Sequence, residues 1–329
     1  MLNYTASPFI KAFLAHQPHL SQWQESFSSP TRKINVLLPL TGPYFATGSV
    51  DGHVCIWDSQ TGGCYKRFFF AETEICVLAL LNPDCLLIGG NKSSVIHALS
   101  QDSQQNTLYA WSWHSNSHEA CVPHKSMRER IMAIQVTEDK QIIVIYTNGM
   151  IYVHNENWQF IEKIFPFYNP IVAISLRLGR ELLVGVTSGR VLRYSLPAAN
   201  RFVKEYEKPY DDVTALATLA DGRIVVGYAN SEIHILDADT GARLVCFSGH
   251  PQYSYPTSIA NLPGDNLINA SPAGTLAIWN STTGQVLQIL TGHHQVCGVI
   301  VLETGNVVMM CTNFGQTVIK IMSFPPVSR

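Results

Sequence analysis

Short apolar runs, each about the length of one strand, alternate with turn signals along almost the whole chain. The clearest stretch is residues 44–70, YFATGSVDGHVCIWDSQTGGCYKRFFF. Residues 44–49 form one run, Val54–Trp57 a second and Cys64–Phe70 a third. Asp51-Gly52, the strongest kind of short hairpin signal, separates the first two. Gln60-Thr61-Gly62-Gly63 separates the second from the third. These connections are too short for a helix, so the pattern predicts an antiparallel meander.

The same order of parts recurs at intervals of about 40 residues. Inner runs begin near 34, 75, 131, 171, 213, 256 and 296; only the second interval is long, and a polar insertion at 114–129 accounts for it. Second runs follow at 44–49, 85–90, 141–147, 181–187, 223–229, 266–271 and 306–312. Each leads into a turn: Asp51-Gly52, Lys92-Ser93, Asn148-Gly149, Ser188-Gly189, Asn230-Ser231, Ala273-Gly274 and Phe314-Gly315. Glycine fills the second turn position wherever a positive φ is easiest to supply that way. Third runs place Trp57, Ala98, His154, Tyr194, Leu236 and Trp279 at one constant offset from their unit's start. Six units carry a fourth run; the seventh does not, and residues 9–16 (FIKAFLAH) look like residues 286–293 (VLQILTGH). The expectation is an all-β fold: a single domain over 1–329, a seven-bladed β-propeller with four antiparallel strands per blade. Residues 9–15 are expected as the outer strand of blade 7, closing the ring and hiding a sheet edge. A parallel α/β fold is not expected, because no helical pattern of about 10–15 residues separates the strands.

Ile56-Trp57-Asp58, preceded by Thr47-Gly48-Ser49-Val50-Asp51-Gly52, resembles the signature of the WD40 repeat. The resemblance extends over the chain through the repeat pattern, although Trp57-Asp58 is its one full Trp-Asp dipeptide; a seven-bladed propeller outside that family is the runner-up. The resemblance implies a hydrogen-bonded set holding each blade, here His16, Thr47 or Ser49, Asp51 and Trp57, with His250, Trp279 and His293 as its remnants in other blades. The pattern is eroded: Ala273 stands where Asp belongs and the seventh unit has no Trp. Most blades must therefore rest on apolar packing and strand ladders. These residues are read as structural, not catalytic.

Composition narrows the function classes. Of 329 residues, 46% are hydrophobic and 14% charged, which describes a core-forming chain with a lightly charged surface. A net charge of −2 gives no general attraction to nucleic acid or acidic membranes. Lys11 interrupts the only apolar run near the start, and no run is long enough to span a bilayer. The eight cysteines include no C-x-x-C, and most sit in strand-like runs, so they are read as reduced core residues of a cytoplasmic protein. Export by a non-classical route stays open at this point.

No nucleophile elbow, phosphate-binding glycine loop or H-E-x-x-H occurs. No enzyme activity and no cofactor are expected. His114, His118, Cys121 and His124 have metal-like spacing, but a polar loop that happens to hold histidines is the preferred reading. In a propeller, the connections from each fourth strand to the next inner strand share a face with the Asp-Gly-type turns. On them fall Trp23, Phe27, Phe167, Tyr168, Tyr210, Tyr253 and Tyr255, with Arg128 and Arg130 beside them. Aromatic and Arg residues on loops of a rigid frame suit a binding surface. The function implied is a non-catalytic scaffold for a protein or peptide partner, as a monomer or within a larger complex, with no nucleic-acid partner and no membrane insertion. Two alternatives stand beside it. One is a substrate adaptor of a ubiquitin ligase, in which family members often have Arg where Gln60 stands. The other is a ligand-binding or enzymatic propeller using the central channel, for which Asp211, Asp212 and His250 are the candidate groups, with Glu74 and Arg130 at other inner-strand starts.

Overall fold

The computed structural model describes residues 24–28, 33–71, 73–92, 106–113, 115, 117–121, 130–164, 170–196, 201–206, 211–248, 254–291, 293–313 and 316–322. Among these, every regular element is a strand, and the strands form seven four-stranded antiparallel sheets. Blade 1 runs, from inside to outside, Ile34–Pro39, Tyr44–Ser49, His53–Asp58, Cys64–Phe69. Blades 2 to 6 follow the same meander, with inner strands Thr73–Asn82, Ile131–Val136, Ile171–Arg177, Val213–Thr218 and Ser258–Leu262. Blade 7 takes Gln295–Val301, Val307–Asn313 and Gln316–Met322 from the end of the chain and Gln24–Ser28 from the beginning. Each inner strand touches that of the next blade, and Gln295–Val301 touches Ile34–Pro39, so the circle is complete. No helix among the described residues is long and apolar enough to cross a membrane.

Burial explains why the repeat was so visible. Second and third strands are covered on both faces by neighbouring blades: Ile142–Tyr146, Ile224–Tyr228 and Leu276–Asn280 are buried at every position. Such strands read as unbroken apolar runs. Outer strands cover one face only, and Cys64–Phe69 alternates exposed and half-buried. Between each pair of neighbouring blades lies one apolar cluster, seven in all. The one joining blade 7 to blade 1 contains Phe45, Cys55, Trp57, Val308, Ile319 and Ile321. Close blade-to-blade contact needs small residues on second strands. A side chain at Gly48 would strike Ile75, and one at Gly227 would strike Pro256, both on the next blade.

Polar ties reinforce the blade contacts. At the closure, Ile34 N donates to Thr317 Oγ1 (3.0 Å), Asn306 Nδ2 to Ser59 Oγ (3.0 Å) and Gly42 N to Glu303 Oε2 (2.8 Å). Between blades 4 and 5, buried Arg177 donates to Gly222 O (2.7 Å) and pairs with Glu181, whose carboxylate also takes Arg193 (2.9 Å).

Two expectations are corrected. The strand paired with Gln316–Met322 is Gln24–Ser28, in the register Gln24↔Ile321 and Ser26↔Ile319, and not residues 9–15, which lie outside the described residues. Connection length decides this. Outer strands elsewhere reach the next inner strand quickly, from Phe69 to Thr73 or from Leu290 to Gln295, as Ser28 reaches Ile34. In blade 2, the third strand is Asn106–Ser112 and the outer strand is Ser117–Cys121, so the long interval is taken up before residue 106 and not as a loop at 114–129. Trp111 sits opposite Leu86 as Trp57 sits opposite Phe45, and it replaces Ala98 as the equivalent residue.

Candidate functional site

The face carrying the outer-to-inner connections and the second-to-third-strand hairpins has a built feature at its centre. In six of the seven blades, the inner strand slips register by one residue just after it starts. The inserted residues are Asn35, Cys76, Met132, Val172, Thr214 and Cys297; Ser258–Leu262 pairs without a slip. A bulge leaves its extra residue out of the ladder and re-aims the side chain. Repeated around a ring, it puts one such residue from each of six blades at the same level of the channel mouth.

Their neighbours make the mouth polar on one side. Asn35 Nδ2 donates to Glu74 Oε1 (3.2 Å) and to Ile75 O (3.1 Å), linking blades 1 and 2. Asn91 Nδ2 donates to Cys76 Sγ (3.0 Å), and Cys297 Sγ lies 3.2 Å from Thr312 Oγ1. Burial, with the Glu74 carboxylate adding to it, pushes the Cys76 thiol up to about 11, so it is a neutral thiol near pH 7. Arg130 is exposed at the start of blade 3, and Tyr255 is 43% exposed before blade 6. Asp212, a candidate for channel chemistry, accepts the Ser188 N–H at 2.6 Å and so ties blade 5 to blade 4.

The other residues singled out in the sequence divide clearly. Trp23, Arg128, Phe167, Tyr168, Tyr210 and Tyr253 lie outside the described residues, as do His16, His250, His114 and His124. Phe27 belongs to the closing strand and not to a connecting loop. His118 and Cys121 lie on the outer strand of blade 2, a correction to the loop reading of the metal-like cluster. Trp57 Nε1 donates to Thr47 Oγ1 (2.9 Å), and Ser49 Oγ donates to Asp51 Oδ1 (2.5 Å). Trp279 Nε1 donates to Asn269 Oδ1 (2.7 Å), so an amide does in blade 6 what a hydroxyl does in blade 1. In blade 2 the matching position is Ile88, and the buried Trp111 indole N–H finds no acceptor among the described residues.

His293 donates its backbone N–H to Gly274 O (3.3 Å), and a side chain at Gly274 would run into the His293 carbonyl. Burial, then the positive Lys320 and the nearby His294, push the imidazole down to about 4. The unfolded chain takes up this proton near pH 6.5 and the folded chain only near 4. Stability is therefore expected to fall as pH drops through that window, by up to ~3 kcal/mol at 1.36 kcal/mol per pKa unit. Urea titrations between pH 7 and 4 check this: His293→Gln should flatten the dependence, and an unchanged slope overturns it.

The sheets and their mouth define a seven-bladed β-propeller with a polar, bulge-lined opening. Residues 25–58 match the family model described as WD domain, G-beta repeat. The match begins on the closing strand and ends at Asp58, so it takes its outer strand from blade 7 and its other three from blade 1. The chain thus carries one stretch matching a WD40 repeat, within a seven-bladed propeller. No curated protein matches the chain. WD40 propellers commonly serve as protein-interaction scaffolds.

Proposed function

We propose that this protein is a non-catalytic scaffold that binds a protein or peptide over the channel mouth, on the face of the outer-to-inner connections. The observation that supports the reading best is the exposure of Arg130 and Tyr255 just ahead of the inner strands of blades 3 and 6, on the face where Asn35, Glu74 and Asn91 border the mouth. Aromatic and Arg anchors beside polar groups suit an interface core and rim. Two of the acids considered for channel chemistry are already engaged, Glu74 by Asn35 and Asp212 by Ser188, which favours the scaffold reading over a channel enzyme. The test compares co-purified proteins from wild type, Arg130→Glu/Tyr255→Ala, and Leu244→Ser on the outer circumference as control. Loss with the double variant alone, at unchanged melting temperature, is expected. Equal recovery from wild type and the double variant rejects this face.

A further inference from the structure

Away from the mouth, blade 5 brings three different donor groups together on its outer half. His234, on the third strand Glu232–Leu236, lies directly opposite Cys246 on the outer strand Arg243–Ser248. Glu232 is two residues before His234 and so shares its face of the sheet. A carboxylate oxygen, an imidazole nitrogen and a thiol sulfur from these residues all lie within 4.8 Å of one another. His234 Nε2 is 2.9 Å from Glu232 Oε2. The imidazole side chain is only 5% exposed, while Glu232 is 40% exposed and Cys246 is open to solvent. Tyr228 meets the imidazole edge-to-face at 4.9 Å between ring centres, which fixes the ring plane.

We propose that Glu232, His234 and Cys246 form a binding site for a zinc-class divalent metal ion. Mixed nitrogen, oxygen and sulfur ligation selects Zn²⁺ or Co²⁺ over Ca²⁺ or Mg²⁺, which take oxygen. A tetrahedral ion at about 2.0–2.3 Å from each ligand holds the ligand atoms ~3.3–3.8 Å apart. Rotation of the exposed Cys246 and Glu232 side chains closes the remaining distance, and the solvent side leaves the fourth position to water. Binding replaces the His234–Glu232 hydrogen bond with two metal bonds: the proton that Nε2 donated to the carboxylate is lost from that nitrogen, the neutral imidazole carrying its proton on Nδ1, and the thiol proton is released to solvent. Arg243 lies near enough to act on His234 and opposes the ion, so the site is expected to be moderate in affinity. The site does not depend on the scaffold reading, because it lies on the circumference and not at the mouth.

The test is titration of metal-free full-length protein with Co²⁺, followed by absorption. Wild type should develop visible d–d bands and a near-ultraviolet thiolate-to-cobalt band at one equivalent, both removed by Zn²⁺. Cys246→Ser should lose the near-ultraviolet band, and His234→Ala should weaken binding at least tenfold. Circular dichroism confirms that both variants fold. No near-ultraviolet band in wild type, as expected if Glu232 and His234 form only an ion pair, overturns the site. A band of undiminished intensity in Cys246→Ser also overturns it, by placing the ion on another cysteine.

Discussion

Removing residues 1–30 is expected to leave a folded but weakened ring that self-associates. The deletion strips Gln24–Ser28 from its ladder against Gln316–Met322, where four positions are paired. At ~0.5–1.5 kcal/mol net per hydrogen bond, the loss is on the order of 3 kcal/mol. For a chain of this size that lowers the thermal midpoint by on the order of 4 °C. The apolar cluster between blades 7 and 1 and the ties Ile34–Thr317, Asn306–Ser59 and Gly42–Glu303 all survive the deletion. The ring therefore stays shut, and the dominant change is a bare strand edge, which invites pairing between molecules. Differential scanning calorimetry and size-exclusion chromatography read both effects. Adding a synthetic peptide of residues 20–32 should restore part of the midpoint and the monomer. A deletion variant with wild-type midpoint and elution means that Gln24–Ser28 neither stabilises blade 7 nor covers its edge.

Among single substitutions, Trp57→Ala should cost the most, ~3–5 kcal/mol. The indole is 2% exposed, stacks on Phe45 at 6.4 Å and belongs to the closure cluster, so its removal leaves a void at the seam of the ring. The chemistry of the N–H can be separated from the volume of the ring. Trp57→Phe keeps an aromatic ring and breaks the bond to Thr47, leaving a buried hydroxyl short of its donor. Trp111→Phe makes the same change in volume at the equivalent position, where Ile88 accepts nothing and no acceptor is present among the described residues. Trp57→Phe should therefore cost about 1 kcal/mol more than Trp111→Phe, because a broken buried hydrogen bond has a price that an absent one does not. Trp279→Phe, which loses Asn269, should follow Trp57. Equal losses at all three positions in urea unfolding would reject the hydrogen-bond argument and leave packing alone.

The parts of the site that were legible in the sequence were single residues. Arg130 and Tyr255 could be placed on a face from the order of strands and turns, and both are exposed there. The ring of bulges could not be read, because a bulge is a mismatch between two paired strands and neither strand shows it alone. Asn35, Cys76 and Cys297 look like ordinary strand residues in sequence. Glu232, His234 and Cys246 are not visible in the sequence for a related reason: their proximity comes from cross-strand register, whereas close spacing along the chain singles out His114–His124 instead. Glu-x-His on a third strand, with a Cys on the strand that must pair with it, was the available signal.

Seven units, four strands each, and the all-β class were written in the chain. Strands enclosed between neighbouring blades need apolar residues at nearly every position, and hairpins need Asp-Gly or its equivalents, so both leave local marks. Which N-terminal segment completes blade 7 was settled only by the folded ring. The partner strand lies nearly the whole chain away, Ile34 to Thr317 being one of the contacts. An outer strand buries one face, so the polar Gln24–Ser28 can fill that place while the more apolar residues 9–15 matched it better by pattern. The assignment of blade 2 followed the same logic: a long connection broke the residue count, and strand pairing, not spacing, fixed Trp111 in its place.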